Sequence, residues 1–249
     1  MQGGRVYSSI VDIAERIVEI FYPRRCPVCM EIVVPRGTLI HRECQKKLCY
    51  IREPACKRCG RQISRMEKEY CSECMRKEFY YLRGYAVWQY EERIRLSLSA
   101  FKYHSRKEFA DFYAAEAVRL CGERIAREHP DVLLPVPIHQ KRRAERGFNQ
   151  TELLADRIGR ALGIPVDREY LVRIKCTKRL KELNPKERVK MLEDAFGIGD
   201  KKEAVYHSVM LVDDIYTTGS TVNACAAVLR QAGVKKVVFL CMAIGASTN

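Results

Sequence analysis

The run Val209-Met210-Leu211-Val212-Asp213-Asp214-Ile215-Tyr216-Thr217-Thr218-Gly219-Ser220-Thr221 has three parts with three physical jobs. An apolar strand delivers two adjacent carboxylates, a short hydroxyl-rich loop follows, and a helix opens at its end. The N-terminus of a helix offers unpaired backbone N–H groups and the positive end of a dipole, which suits an anion. Gly219 lets the backbone approach a phosphate, and Thr217, Thr218, Ser220 and Thr221 add hydroxyl donors. Asp213 and Asp214 would repel that phosphate unless they face something else, such as sugar hydroxyls or a metal-bound water. A ribose 5-phosphate presents both needs together. The alternative is a plain strand–turn–helix with an Asp-rich cap. The agreement of the motif with its strand-to-helix context favours the anion site.

Outward from this stretch, strands and helices alternate. Upstream, Tyr85–Tyr90 reads as a strand, Glu91–Phe101 and Ser105–His129 as helices, and Asp131–Pro135 as a buried strand entering Pro135-Val136-Pro137. Gln150–Leu162 is patterned as a helix ended by Gly163, and a strand is expected around Tyr170–Ile174. A basic loop with a short helix near Pro185–Leu192 comes next. Beyond the motif, Ser220–Ala232 is a helix closed by Gly233, and Lys236–Ile244 a further strand. This alternation implies an α/β fold with a mainly parallel sheet covered on both faces. Such sheets place ligands at the carboxyl ends of their strands, where the 213–221 loop lies.

The front of the chain differs. Ile10, Ile13, Ile17, Ile20 and Phe21 recur at helical spacing, so an amphipathic helix is expected over 1–22. From Pro23 to about residue 82, cysteines and basic residues replace apolar periodicity, and 83–249 carries the α/β pattern. Cys26-x-x-Cys29 is followed by His41-x-x-Cys44, and Cys56-x-x-Cys59 by Cys71-x-x-Cys74. Two such knuckles make a tetrahedral zinc site, and a closed set of four ligands implies a structural ion. The second set is complete in cysteine. In the first, Cys49 is an alternative to His41, and interleaving of the pairs between two sites is another. Cys121, Cys176, Cys225 and Cys241 are isolated, and the last two fall in apolar patterns that suit buried packing.

Of twelve cysteines the first eight fall between Cys26 and Cys74, mostly in knuckle spacing, and with nothing to indicate export they point to metal thiolates in a reducing cytoplasm rather than to disulfides. The apolar residues near the N-terminus are broken by Asp12, Glu15, Arg16 and Glu19, unlike a secretion signal. No run of apolar residues approaches the length of a membrane span. The formal charge is +14, and seven zinc-bound thiolates with two zinc ions bring it to about +11. That balance suits a phosphate-rich ligand, a nucleic acid, or a soluble protein with a basic surface. Lys46, Lys47, Arg52, Lys57, Arg58, Arg61 and Arg65 crowd the knuckles, where Tyr50 or Tyr70 would be available to stack on bases.

The 209–221 stretch closely resembles the motif by which type I phosphoribosyltransferases bind 5-phosphoribosyl-1-pyrophosphate (PRPP). Together with Val136-Pro137-Ile138, Arg146-Gly147-Phe148-Asn149-Gln150 and the CxxC-rich front, it resembles the ComF family of late-competence, phosphoribosyltransferase-like proteins. The likeness spans nearly the whole chain. Lys175–Arg188 keeps Thr177, Leu183 and Arg188 of the family's basic loop, with Leu180 near where Gln is expected.

The resemblance implies a type I phosphoribosyltransferase fold behind a zinc-ribbon-like module. It implies PRPP binding by Asp213, Asp214, Ile215, Tyr216, Thr217, Thr218, Gly219, Ser220 and Thr221, with Mg²⁺ accompanying PRPP. Val136, Pro137, Arg142, Arg143 and Arg146 are candidates for gripping the pyrophosphate, since guanidinium forks suit phosphate oxygens. A solvated basic face is the competing account of those arginines. Asp213, Asp214 and Arg146 are the candidate catalytic residues. Lys102 and Arg173 are weaker candidates for the same site. Zinc, two ions of it, is expected on Cys26, Cys29, His41, Cys44, Cys56, Cys59, Cys71 and Cys74. Two functions fit: transfer of phosphoribosyl to an acceptor, or a PRPP- or phosphate-sensing module. In the second, the zinc region recruits single-stranded DNA or a DNA-uptake helicase.

Overall fold

The structure is a computed structural model and describes residues 23–64, 68–174, 195–199 and 206–246. The expected helix over 1–22, the basic loop at 175–194 and Arg65 lie outside the described residues. The chain divides into two compact units, Met1–Lys47 and Leu48–Asn249.

In the first unit the described residues form one knuckle. Arg25 and Ile32 make an antiparallel bridge, and Met30 turns the chain in the left-handed region at φ 65°. Helix α1, Arg42–Lys46, follows with His41 at its N-cap.

In the second unit, four strands among the described residues form the main sheet: β1 (Arg83–Gln89), β2 (Val132–Pro135), β5 (Ser208–Tyr216) and β6 (Lys236–Ile244). Their order is β1-β6-β5-β2, and every neighbouring pair is parallel. Residues 209–214 of β5 and 237–244 of β6 are buried without a break, as strands covered on both faces must be.

Helix α4 (Phe109–Arg127) packs on β1, and α6 (Gln150–Leu162) packs on α4, β2 and β5. Helix α7 (Ser220–Gln231) packs on β5 and β6. Two shorter helices, α3 (Glu92–Tyr103) and α5 (Gln140–Arg146), lead into α4 and α6. Local chemistry sets the ends of α6. The Asn149 side chain accepts from the Thr151 N–H at the start, and Gly163 takes φ 69° at the finish.

The strand expected at Tyr170–Ile174 exists as β3 (Leu171–Arg173), outside the main sheet. It pairs antiparallel with β4 (Phe196–Ile198) in a two-stranded ribbon, and β4 packs on α7. Three residues ending in Arg173 are too short and too polar for a central parallel strand. The helix expected from Ser105 begins at Phe109, because Ser105 adopts φ 51°.

The second knuckle belongs to the larger unit. Cys56, Cys59 and Cys71 are buried in one apolar cluster with Tyr81, Tyr216, Val222 and Phe239. Its helix α2 spans Ser72–Arg76. Among the described residues no helix is long and apolar enough to cross a membrane.

Candidate functional site

Strand β5 carries its carboxylates to the carboxyl end of the sheet and turns there into α7. Asp213 and Asp214 are each 8% exposed. The backbone N–H of Asp214 donates to Asp213 Oδ1 at 2.8 Å. Burial, reinforced by the neighbouring Asp214 charge, pushes the Asp213 carboxyl up to about 7. Lys102 on α3 pairs with Asp214, Nζ to Oδ2 at 2.6 Å, with both side chains largely buried. The carboxylate pair therefore has a cation of its own, supplied by a residue 112 positions earlier in the chain.

The loop beyond is built around glycine. Gly219 takes φ 77° at the N-cap of α7, and a Cβ there would stand 2.2 Å from Tyr216 Oη. Tyr216 is stacked on Phe239 with centroids 4.9 Å apart, and its hydroxyl lies 2.6 Å from that of Tyr81. Thr217 and Thr218 are exposed, and the hydroxyls of Thr218 and Ser220 meet at 2.8 Å. Ser220 and Thr221 occupy the first turn of α7. This stretch thus offers exposed hydroxyls and a helix N-terminus beside two buried acids.

The β2 exit lies alongside. Pro135 is level with Val212, and the Val136 N–H donates to the Val212 carbonyl at 2.9 Å. The Val136 carbonyl accepts from Thr151 Oγ1 at 2.7 Å and from Asn149 Nδ2 at 3.4 Å. Asn149, buried, thus both caps α6 and ties it to the strand exit, while Pro137 remains half-buried.

The three arginines of α5 differ in their contacts. Arg142 is exposed. Arg143 forms a two-pronged pair with Glu152 at 2.7 and 3.1 Å. Arg146 donates to Gln150 Oε1 and to Tyr103 Oη, both at 2.9 Å, with its guanidinium over the Tyr103 ring. Tyr103 follows Lys102, so Arg146 and Asp214 are engaged by successive residues of α3. Arg173 lies over Phe196 on the β3–β4 ribbon.

On the opposite flank, a cavity of about 360 Å³ opens at the carboxyl ends of β1 and β6. Gln62, Gln89, Tyr90, Glu91 and Gly245 line it, and the Gly245 N–H donates to the Tyr216 carbonyl at 2.8 Å.

Two ligand sets stand together: Cys26, Cys29, His41 and Cys44, and Cys56, Cys59, Cys71 and Cys74, each with its ligand atoms within 4.8 Å of one another. Both fit zinc. Ligands about 2.3 Å from a tetrahedral zinc lie about 3.8 Å apart, and the sulfurs of Cys59 and Cys71 are 3.7 Å apart. The Cys71 N–H points at Cys56 Sγ from 3.3 Å, as to a thiolate. In the first set His41 Nδ1 is 3.3 Å from Cys29 Sγ, and its Nε2 is 3.0 Å from the Ile32 carbonyl. A proton on Nε2 donated to that carbonyl leaves Nδ1 for the metal. His41 is a member of this set and Cys49 is not.

The knuckle's basic residues are partly committed. Lys57 pairs with Glu69, and Arg58 donates to the Tyr81 carbonyl at 3.2 Å. Arg61, one of the basic residues that crowd the knuckles, is 3% exposed. It pairs with Glu73 at 2.9 Å and donates to the Thr217 carbonyl at 3.0 Å. Its spacing in a basic run carried no sign of this burial, which the packing of the knuckle on the sheet imposes. Cys121, Cys225 and Cys241 are buried and free, and burial pushes all three thiols up.

A family model described as the double zinc ribbon domain matches residues 17–75. Competence protein F of Haemophilus influenzae is 31% identical over 199 residues, covering 78% of this chain and 85% of that protein. Competence protein ComFC of Bacillus subtilis is 28% identical over 199 residues, covering 76% and 77%. DNA utilization protein YhgH of Escherichia coli K12 is 28% identical over 194 residues, covering 75% and 82%. Among solved structures, a purine phosphoribosyltransferase from Pyrococcus horikoshii is 21% identical, covering 56% of this chain and 74% of that one at a TM-score of 0.31. The parallel sheet, the paired knuckles and the competence-protein relatives agree: the chain belongs to the ComF family, an α/β fold built on a parallel sheet with an N-terminal double zinc ribbon.

Proposed function

We propose that this protein binds PRPP and transfers its phosphoribosyl group to an acceptor, in a role tied to DNA uptake. One observation carries the reading: two buried carboxylates and a hydroxyl-lined helix N-terminus stand side by side at the carboxyl end of β5. The hydroxyls of Thr217, Thr218, Ser220 and Thr221, with the first N–H groups of α7, hold the 5-phosphate. Asp213 and Asp214 accept from the 2- and 3-hydroxyls of the ribose, and Lys102 balances their charge. Mg²⁺, when bound with PRPP, neutralises the leaving pyrophosphate, and the acidic pair suits its oxygen-rich shell.

The pyrophosphate lies on the β2 side, where Arg142, Arg143 and Arg146 follow Pro137. The acceptor approaches from the β6 side, where the cavity beside Gly245 opens. In the transfer, the C1–oxygen bond to pyrophosphate breaks with its electron pair leaving on pyrophosphate. The acceptor's lone pair forms the new bond to C1, and the acceptor gives up a proton. The side chains contribute position and charge, and none need bond covalently to the sugar. The relatives' competence and DNA-utilization names support the link to DNA uptake.

A second reading is favoured by the Lys102–Asp214 ion pair. Ribose hydroxyls reaching Asp214 must shift Lys102, and a partner could sense that change. In this reading the protein reports PRPP or another phosphate ligand, and its zinc region recruits single-stranded DNA or an uptake helicase.

Calorimetric titration of PRPP with Mg²⁺ tests the shared part. The wild type binds, and the Asp213→Asn/Asp214→Asn variant loses roughly 1.5–3 kcal/mol for each charge-assisted contact. Equal affinity in both proteins refutes the assignment. Pyrophosphate release that depends on an added acceptor supports transfer, and binding without release across acceptor classes supports sensing.

A further inference from the structure

We propose that Arg61 is a positioning residue for the phosphate loop, joining the four-cysteine centre to the Thr217–Thr218 peptide. The proposal rests on the reading of 213–221 as a PRPP site.

Arg61 follows the second ligand of its cluster by two residues and is 3% exposed. Its fork reaches two places at once. One nitrogen donates to Glu73, which lies between the ligands Cys71 and Cys74, at 2.9 Å. The other donates to the Thr217 carbonyl at 3.0 Å, 156 positions along the chain. A buried charge is costly unless paired, and Glu73 alone would pair it. The bond to a neutral carbonyl therefore needs its own account.

Peptide geometry supplies one. In a trans peptide the C=O and N–H point in opposite directions. Turning the Thr217 carbonyl toward the knuckle aims the Thr218 N–H away from it, toward the side of the loop open to a ligand. A guanidinium behind the carbonyl also polarises that peptide in the sense that favours an anion at its N–H.

Charge gives a second reason. Four thiolates around one zinc dication carry a net −2, and Glu73 adds to it. An anion site beside such a centre would be repelled, and Arg61 is the cation between them. Lysine could not serve equally, because an ammonium lacks the planar fork that spans both acceptors.

Two further contacts hold the same loop from the same side. The hydroxyls of Tyr81 and Tyr216 meet at 2.6 Å, and the Tyr80 N–H donates to Asn223 Oδ1 in α7 at 2.8 Å. The residue before Thr217, Thr217 itself and the first turns of α7 are all tied to the segment 61–81.

The test uses the full-length, zinc-loaded protein as wild type, Arg61→Met and Arg61→Lys, each checked for zinc content. Backbone order parameters at Thr217–Gly219 are read from ¹⁵N relaxation without ligand. Affinity for ribose 5-phosphate, and the ³¹P resonance of its bound phosphate, are read with ligand. Arg61→Met is expected to keep its zinc while the order parameters of Thr217–Gly219 fall from about 0.85 to below about 0.6. Ribose 5-phosphate affinity drops tenfold or more, the ³¹P resonance moves, and Arg61→Lys recovers part of the affinity. A merely structural role would instead loosen residues 56–74 and leave the ³¹P resonance of whatever ligand still binds unmoved.

Zinc-loaded Arg61→Met with wild-type order and wild-type affinity overturns the proposal. Should Arg61→Met lose zinc, Arg61→Lys, which keeps the charge without the fork, is compared with wild type by the same criteria. If the wild type itself binds neither PRPP nor ribose 5-phosphate, the PRPP reading fails. The order parameters then decide by themselves whether Arg61 orders the loop.

Discussion

Alanine at Gly219 probes the loop most directly, because two separate penalties meet there. At φ 77° an L-residue pays the left-handed backbone cost, about 1–2 kcal/mol. The added methyl would also stand 2.2 Å from Tyr216 Oη, 2.6 Å from its Cζ and 2.9 Å from its Cε2. Tyr216 has little room to retreat: it is 2% exposed, lies flat against Phe239, and has its hydroxyl against that of Tyr81. Overpacking of this kind costs about 1–3 kcal/mol. The two together predict a loss of about 2–5 kcal/mol, or about 4–20 °C in Tm for a unit of this size. Calorimetric unfolding measures it, with PRPP affinity followed in parallel and expected to fall as the loop shifts. Combining Gly219→Ala with Tyr216→Phe removes the nearest atom and should recover part of the steric share but none of the backbone share. A Tm loss under about 2 °C with undiminished PRPP affinity would refute the reasoning, since it would mean that the tyrosine yields freely.

Two further outcomes follow from the same geometry. Cys59→Ser should lower the zinc content from two ions to one and depress the unfolding of the whole 48–249 unit, because Cys59 is buried with Tyr81, Tyr216 and Phe239; an unchanged main transition in calorimetry would contradict this. The Asp213 carboxyl, raised from 3.8 to about 7, stays protonated in the folded chain over a range where the unfolded chain has released its proton. Stability should therefore fall as pH rises from about 4 to 7, while PRPP affinity climbs between pH 6 and 8 as the carboxylate forms. Asp213→Asn should flatten both profiles, and an affinity that is flat from pH 6 to 8 in the wild type would exclude the ionised Asp213 as a ribose contact.

The elements that the sequence specifies most clearly are those whose signals are local and redundant. Gln150–Leu162 has an apolar stripe, a capping Asn149 and a closing Gly163, and Lys236–Ile244 is apolar without a break after its first residue; both stand where the pattern puts them. The acidic pair and the loop after it are similarly legible, because a strand, its turn chemistry and a helix start are contiguous. The rest depends on distant partners. Lys102 could be named only as a weaker candidate for the site, since a lysine on an amphipathic helix ordinarily faces water and its pairing with Asp214 depends on the packed fold. Arg61 sits in a basic run and reads as a surface residue until the knuckle is seen against the sheet. Knuckles lack the periodicity that marks a buried face, so their sequence does not show which side is covered. Leu171–Arg173 reads as a strand but cannot announce its partner, which lies more than twenty residues away at Phe196–Ile198.

The burial of the second knuckle has a consequence for how chains of this kind are cut and recombined. A fragment starting at residue 83 would keep every strand of the main sheet and the whole 213–221 motif. It would nevertheless bare the faces of Tyr216 and Phe239 that Tyr81 and the cysteines cover. Such a fragment invites aggregation, whereas one starting near Leu48 retains its own cover. The two ribbons look like a tandem pair in sequence, yet they are unequal as exchangeable parts. The second must travel with the sheet it covers.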